Sequence, residues 1–157
     1  METRTTGETV DRRRLIFPAL GGLYESMAPF SYSFMRFCTG GVLVPHGVQK
    51  IMTDWVDKGA GNIEQAGLPF PMLLAWLTVF SELVASSCLA LGLFTRVAAL
   101  IVAVQMAVIV TVFQWKFGYF WTARGIEYAL LWFLLCVGIF FRGGGRYSVD
   151  HYLGREF

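Results

Sequence analysis

Residues 70–94 read FPMLLAWLTVFSELVASSCLALGLF, a stretch whose one charged side chain is Glu82. About 20 helical residues cross a hydrocarbon core of roughly 30 Å, so the stretch predicts a membrane-spanning helix. A charge at membrane depth costs ~2.5–3.5 kcal/mol on insertion scales, and such groups are paired, turned into a bundle, or functional. Glu82 therefore marks both a span and a site.

Three more apolar stretches accompany it, at residues 32–51, 97–115 and 125–141. The chain of 157 residues is 55% hydrophobic and 16% aromatic, with a mean hydropathy of +0.55. Only 15% of residues are charged, where soluble domains run near 25%. The expected fold is an all-α integral membrane four-helix bundle. Residues 1–31 form a cytoplasmic or interfacial segment, 32–141 the four-span domain and 142–157 a cytoplasmic tail. The apolar run 15–23 follows Arg12, Arg13 and Arg14 and lacks a small-x-small cleavage site, so it reads as interfacial.

Basic residues orient the bundle. An even number of spans puts Arg4, Arg12, Arg13, Arg14, Arg96, Arg142, Arg146 and Arg155 on one side. Lys50, Lys58, Lys116 and Arg124 fall on the other. The excess predicts cytoplasmic N- and C-termini, with the 52–69 loop and the aromatic loop 114–121 outside. The net charge of +2 reflects topology, and nucleic acid is not an expected partner. Cys38, Cys88 and Cys136 lie within spans, form no C-x-x-C pair, and read as small apolar residues.

Four further ionisable groups lie in or at the ends of spans: Arg36, His46, Lys50 and Glu127. At about 1.5 Å per residue from Tyr32, Arg36 lies roughly 6 Å deep and His46 roughly 21 Å deep. On that scale Arg36 and Glu82 form an inner ion pair, and His46, Lys50 and Glu127 an outer cluster. Arg36, Gly40, Leu43, Gly47 and Lys50 share one helical face, whose glycines admit a neighbouring helix or a flat ligand. Pro45 removes a backbone hydrogen bond and predicts a bend. Gln105 is an isolated polar group at mid-depth, and Ala99, Ala103 and Ala107 form a small-residue ridge. The aromatic loop reads as an interfacial belt or as a lid over the outer cluster. His46 and His151 share no depth and the carboxylates lack a diagnostic spacing, so no metal site is expected.

Taken in order, these residues resemble the DoxX family of small four-span membrane proteins. The likeness runs from about residue 34 to 150. It rests on Arg36, the His46-Gly47-Val48-Gln49-Lys50 segment, the Gly67-Leu68-Pro69 turn and Glu82. It continues through Leu91-Gly92-Leu93-Phe94-Thr95-Arg96, Glu127 and the tail Gly143-Gly144-Gly145-Arg146-Tyr147-Ser148-Val149-Asp150. The resemblance implies a multi-pass protein of a prokaryotic cytoplasmic (inner) membrane. Its relatives include a subunit of a thiosulfate:quinone oxidoreductase and proteins tied to respiratory or oxidative-stress complexes.

The reading that follows is a membrane subunit of a redox or respiratory-type complex that binds a quinone-like small molecule, with no covalently bound cofactor. In it His46 hydrogen-bonds a carbonyl oxygen, Glu127 exchanges its proton and Lys50 stabilises negative charge. Gly47 and Gln105 complete the binding site, while Arg36 and Glu82 brace the helices. The expected partners are the bilayer and other membrane or redox subunits. The alternative is a non-catalytic accessory or assembly subunit whose polar residues only fix the fold. A small transporter is a fainter third, since four spans without a repeat lend it little support.

Overall fold

The computed structural model describes residues 11–155, and among these every regular element is helical. Helix α1 spans Gly21–Gly41, α2 Val44–Met52 and α3 Trp55–Gln65. Two long helices follow, α4 over Pro71–Leu91 and α5 over Thr95–Phe117. Helix α6 covers Glu127–Arg142, and a single turn, α7, covers Val149–Tyr152. Short 3-10 turns lie at Arg12–Arg14, Pro18–Leu20 and Trp121–Ala123.

Among the described residues only α4 and α5 are both long and apolar enough to count as candidate spans. The first apolar stretch is broken at Val42-Leu43 between α1 and α2. Pro45 causes the break, since it lacks the N–H that would continue the ladder and sits instead in the first turn of α2. Helix α1 also begins at Gly21, so residue 32 falls inside a helix. The fourth stretch is helical over 16 residues, about 24 Å.

The 52–69 segment, expected as an outer loop, is largely helix α3. Its Ala60 and Ile63 are buried with Ala75 of α4, and Trp55, Val56, Leu68, Leu74 and Phe113 pack around them. The cause is visible in the sequence. Trp55, Val56, Gly59, Ala60 and Ile63 recur at helical spacing, while the opposite face carries Asp57, Lys58 and Glu64.

Glycines set the register between α1–α2 and α4. A Cβ on Gly40 would stand 2.4 Å from the Ser86 carbonyl oxygen and 2.5 Å from the Ala90 nitrogen. A Cβ on Gly47 would stand 2.8 Å from the Leu83 nitrogen. The backbones touch at both places, and the pairing of 40 with 86–90 and 47 with 83 makes the helices antiparallel. Helices α5 and α6 share the most extensive contact of the molecule. The main core lies between them, α4 and the α1–α2 junction, with Leu89, Ala99, Val102, Cys136 and Ile139 fully enclosed.

Two stretches of wider π-helical winding interrupt the long helices, Ser81–Ala85 in α4 and Ile109–Gln114 in α5. Hydroxyls support both. Ser86 Oγ donates to the Ser81 carbonyl (3.0 Å) and Ser87 Oγ to the Leu83 carbonyl (2.6 Å). Thr111 Oγ1 donates to the Ala107 carbonyl (2.8 Å). Such back-bonds give carbonyls displaced from the α ladder a partner.

Candidate functional site

Glu82 lies in the π segment of α4, eleven residues or about 16 Å from the Pro71 end, and is 4% exposed. Its two oxygens are both engaged. Oε2 receives the Lys50 ammonium of α2 as an ion pair, and Oε1 accepts from Gln105 Nε2 of α5 at 2.8 Å. The ammonium also stands 4.6 Å from the centre of the Trp55 ring of α3. Three helices thus meet at one carboxylate, and α3 reaches the same site through the ammonium. Gln105 Oε1, on the same amide, and the hydroxyl of Ser81, one residue before Glu82 in the chain, are buried without a hydrogen-bond partner.

Arg36 does not pair with Glu82. Its guanidinium is 2% exposed and donates to main-chain carbonyls. Nη1 reaches Leu89 (2.7 Å) and Ala90 (2.6 Å), while Nη2 reaches Tyr147 (2.8 Å). Register explains the correction. With Gly40 against Ser86 and Ala90, Arg36 one turn earlier falls at the C-terminal end of α4, about 10 Å along the axis from Glu82. With Gly47 against Leu83, Lys50 falls level with Glu82. The cation completes the last turn of α4, where unpaired carbonyls and the helix dipole favour positive charge.

Asp150 secures the same end. Its carboxylate is 2% exposed and accepts from the Phe94 N–H (2.8 Å), the Thr95 N–H (2.8 Å) and Thr95 Oγ1 (2.6 Å). These are orphan donors at the start of α5. The Asp150 N–H returns a bond to the Gly92 carbonyl (2.9 Å). Gly92 has φ +74°, and a Cβ there would stand 2.7 Å from the Arg36 guanidinium carbon, so glycine is needed for both conformation and space. The Tyr32 hydroxyl adds a bond to the Gly143 carbonyl (2.5 Å). Residues 143–150 are therefore built into the fold. The sequence placed Asp150 in a terminal motif but gave it no role.

The outer cluster is not assembled. His46 is exposed and makes no side-chain hydrogen bond or ion pair among the described residues. Glu127, the first residue of α6, accepts from the Trp121 N–H at 3.1 Å. Lys50 is drawn to Glu82 instead. Gly47, expected beside a ligand, is covered by the backbone of α4. The partners account for this, because the Lys50 ammonium is engaged at Glu82 and the Glu127 carboxylate at the Trp121 N–H. Gln105 bonds across helices, and its amide supplies a third member of the Glu82 site.

The surface around these sites is apolar. Leu73, Trp76, Leu77 and Phe80 of α4, Leu100 and Val104 of α5, and Leu131, Leu134 and Phe141 of α6 are all exposed. Only 39% and 33% of the most apolar windows of α4 and α5 are buried inside the molecule, where a soluble core helix would be mostly buried. A girdle of this extent needs an apolar surround.

The DoxX family model matches residues 32–115, which include Arg36, His46, Lys50, Glu82 and Gln105. The chain belongs to the DoxX family. Glu127 and the tail lie beyond the matched residues, but pairwise likeness extends over more of the chain. An uncharacterized protein of Haemophilus influenzae is 34% identical over 131 residues, covering 81% of this chain and 93% of its own length. An uncharacterized membrane protein of Mycobacterium tuberculosis is 29% identical over 150 residues, covering 88% and 91%. No solved structure matches at a significant level. This DoxX chain is a helical membrane protein of a bacterial family, and the Glu82 network is the polar centre of its apolar body.

Proposed function

We propose that this DoxX protein is a membrane-embedded subunit of a redox complex and that it binds a quinone-like carbonyl compound at Lys50, Glu82 and Gln105. In this reading α1–α2, α4, α5 and α6 make the four passes, and both termini face the cytoplasm. The basic side chains Arg96, Arg142 and Arg146 at the end of the bundle near the chain's tail support that orientation.

The observation that carries the reading is the Glu82 network itself. A carboxylate, an ammonium and an amide meet near the middle of a long apolar helix, in a π-wound segment of a kind often found at functional sites. Gln105 Oε1 leaves an acceptor unspent within it, and Ser81, the residue before Glu82, carries an unspent hydroxyl. A quinone carbonyl takes a hydrogen bond from the Ser81 hydroxyl or the Lys50 ammonium, and Gln105 Oε1 accepts from the reduced hydroxyl. Reduction to the quinol takes two electrons from a redox centre on a partner and two protons. The Lys50–Glu82 pair is placed to relay those protons. His46, exposed and unpartnered, has no part in the site.

The accessory reading also has an observation behind it, since both oxygens of Glu82 are already satisfied within the chain. Quinone content separates the two. Replacing the pair by apolar side chains, Lys50→Met with Glu82→Leu, removes both charges together and keeps the bundle packed. The quinone reading expects the isolated double variant to be folded, bound to its partners and depleted of co-extracted quinone. A folded double variant with unchanged quinone content and full activity of the complex would establish the accessory role instead.

A further inference from the structure

We propose that the last turn of α5 and the loop that joins it to α6 form a binding site for the phosphate group of an anionic phospholipid. The proposal rests on the membrane placement of α5 and α6 and is independent of the quinone reading.

The loop is held together by its own backbone. The Gly118 N–H donates to Trp115 (3.2 Å), Arg124 to Trp121 (2.9 Å), Gly125 to Phe120 (3.0 Å), Ile126 to Gly118 (3.0 Å) and Glu127 to Tyr119 (3.0 Å). Glu127 closes the ring of contacts through the Trp121 N–H. This frame gathers two cations on one ring. Lys116 Nζ and the Arg124 guanidinium carbon each stand 5.2 Å from the centre of Phe117. Both side chains are exposed, and neither meets a carboxylate among the described residues. The loop's own carboxylate, Glu127, is turned to the backbone instead.

Arg124 is held in the left-handed region at φ +66°, which disfavours any residue with a Cβ. A glycine there would relax the turn, so the guanidinium sits where the backbone favours another residue. In the same segment of chain Trp115, Tyr119, Phe120 and Trp121 are exposed. Rings of this kind settle at headgroup level, with an apolar body in the acyl region and a polar tip outside. Two unneutralised cations framed by interfacial aromatics fit a headgroup phosphate whose acyl chains run down the apolar faces of α5 and α6. Free phosphate would use the cations but none of the rings.

The test measures lipid retention by native mass spectrometry, with the whole protein in mixed micelles of phosphatidylglycerol and phosphatidylcholine. The wild type should retain phosphatidylglycerol in preference. Lys116→Gln with Arg124→Gly should lower that preference by about fivefold for each charge removed. Thermal unfolding in phosphatidylcholine alone should be no worse for Arg124→Gly than for the wild type, and Arg124→Gln repeats the test should the glycine loosen the loop. An unchanged preference in the folded variants would overturn the proposal. So would equal protection of the wild type by inorganic phosphate, which would make the loop a simple anion site.

Discussion

Among the described residues the charges of Arg36, Glu82 and Asp150 are buried, and each is satisfied by a different route. Lys50 and Glu82 neutralise one another between helices, so removing either strands a charge. Lys50→Met or Glu82→Leu alone should each cost about 3–5 kcal/mol, and the double replacement clearly less. A double-mutant cycle on unfolding in detergent measures this coupling. The same cycle on Arg36 and Glu82 should show none, because Arg36 is spent on the carbonyls of Leu89, Ala90 and Tyr147. Asp150→Ala leaves two N–H groups and a hydroxyl without an acceptor, at about 1–3 kcal/mol for each group that stays dry. Residue types were legible in the sequence and their partners were not. A cation and an anion in facing spans announce a pair, but which cation depends on a register that only the contacts of Gly40 and Gly47 settle.

At the level of elements, close backbone contact between α2 and α4 positions Lys50. Gly47→Ala should therefore force α2 off Leu83 at about 1–3 kcal/mol and weaken the ion pair with it. Gly41→Ala, where a Cβ would meet nothing within 4 Å, should be harmless. Comparing the two unfolding midpoints checks whether contact or mere loss of glycine is responsible. The apolar stretches of α4 and α5 were plain in the sequence because their length alone carries the signal. Helix α3 was missed because its polar face lowers mean hydropathy, although Trp55, Gly59, Ala60 and Ile63 kept a helical period. The break at Val42-Leu43 was foreshadowed by Pro45. The π segments had no sequence sign beyond the serines and threonine that support them.

As a whole, the molecule is an apolar body with a polar staple at its tail end and a carboxylate network near its middle. The family was legible from the order of short motifs, none specific alone. In the proposed orientation, single cysteines at Asp57 and Arg155 should be labelled from opposite faces of the membrane; labelling from the same face would rule that topology out. The function assigned to the network is tested most directly by a photoactivatable quinone applied to the protein in its native membrane, with the adduct mapped by mass spectrometry. Label is expected within residues 44–52 of α2 and 79–86 of α4, and should be lost when Lys50→Met and Glu82→Leu are combined. Label spread over the exposed residues of α4, α5 and α6, and unchanged in that double variant, would contradict it.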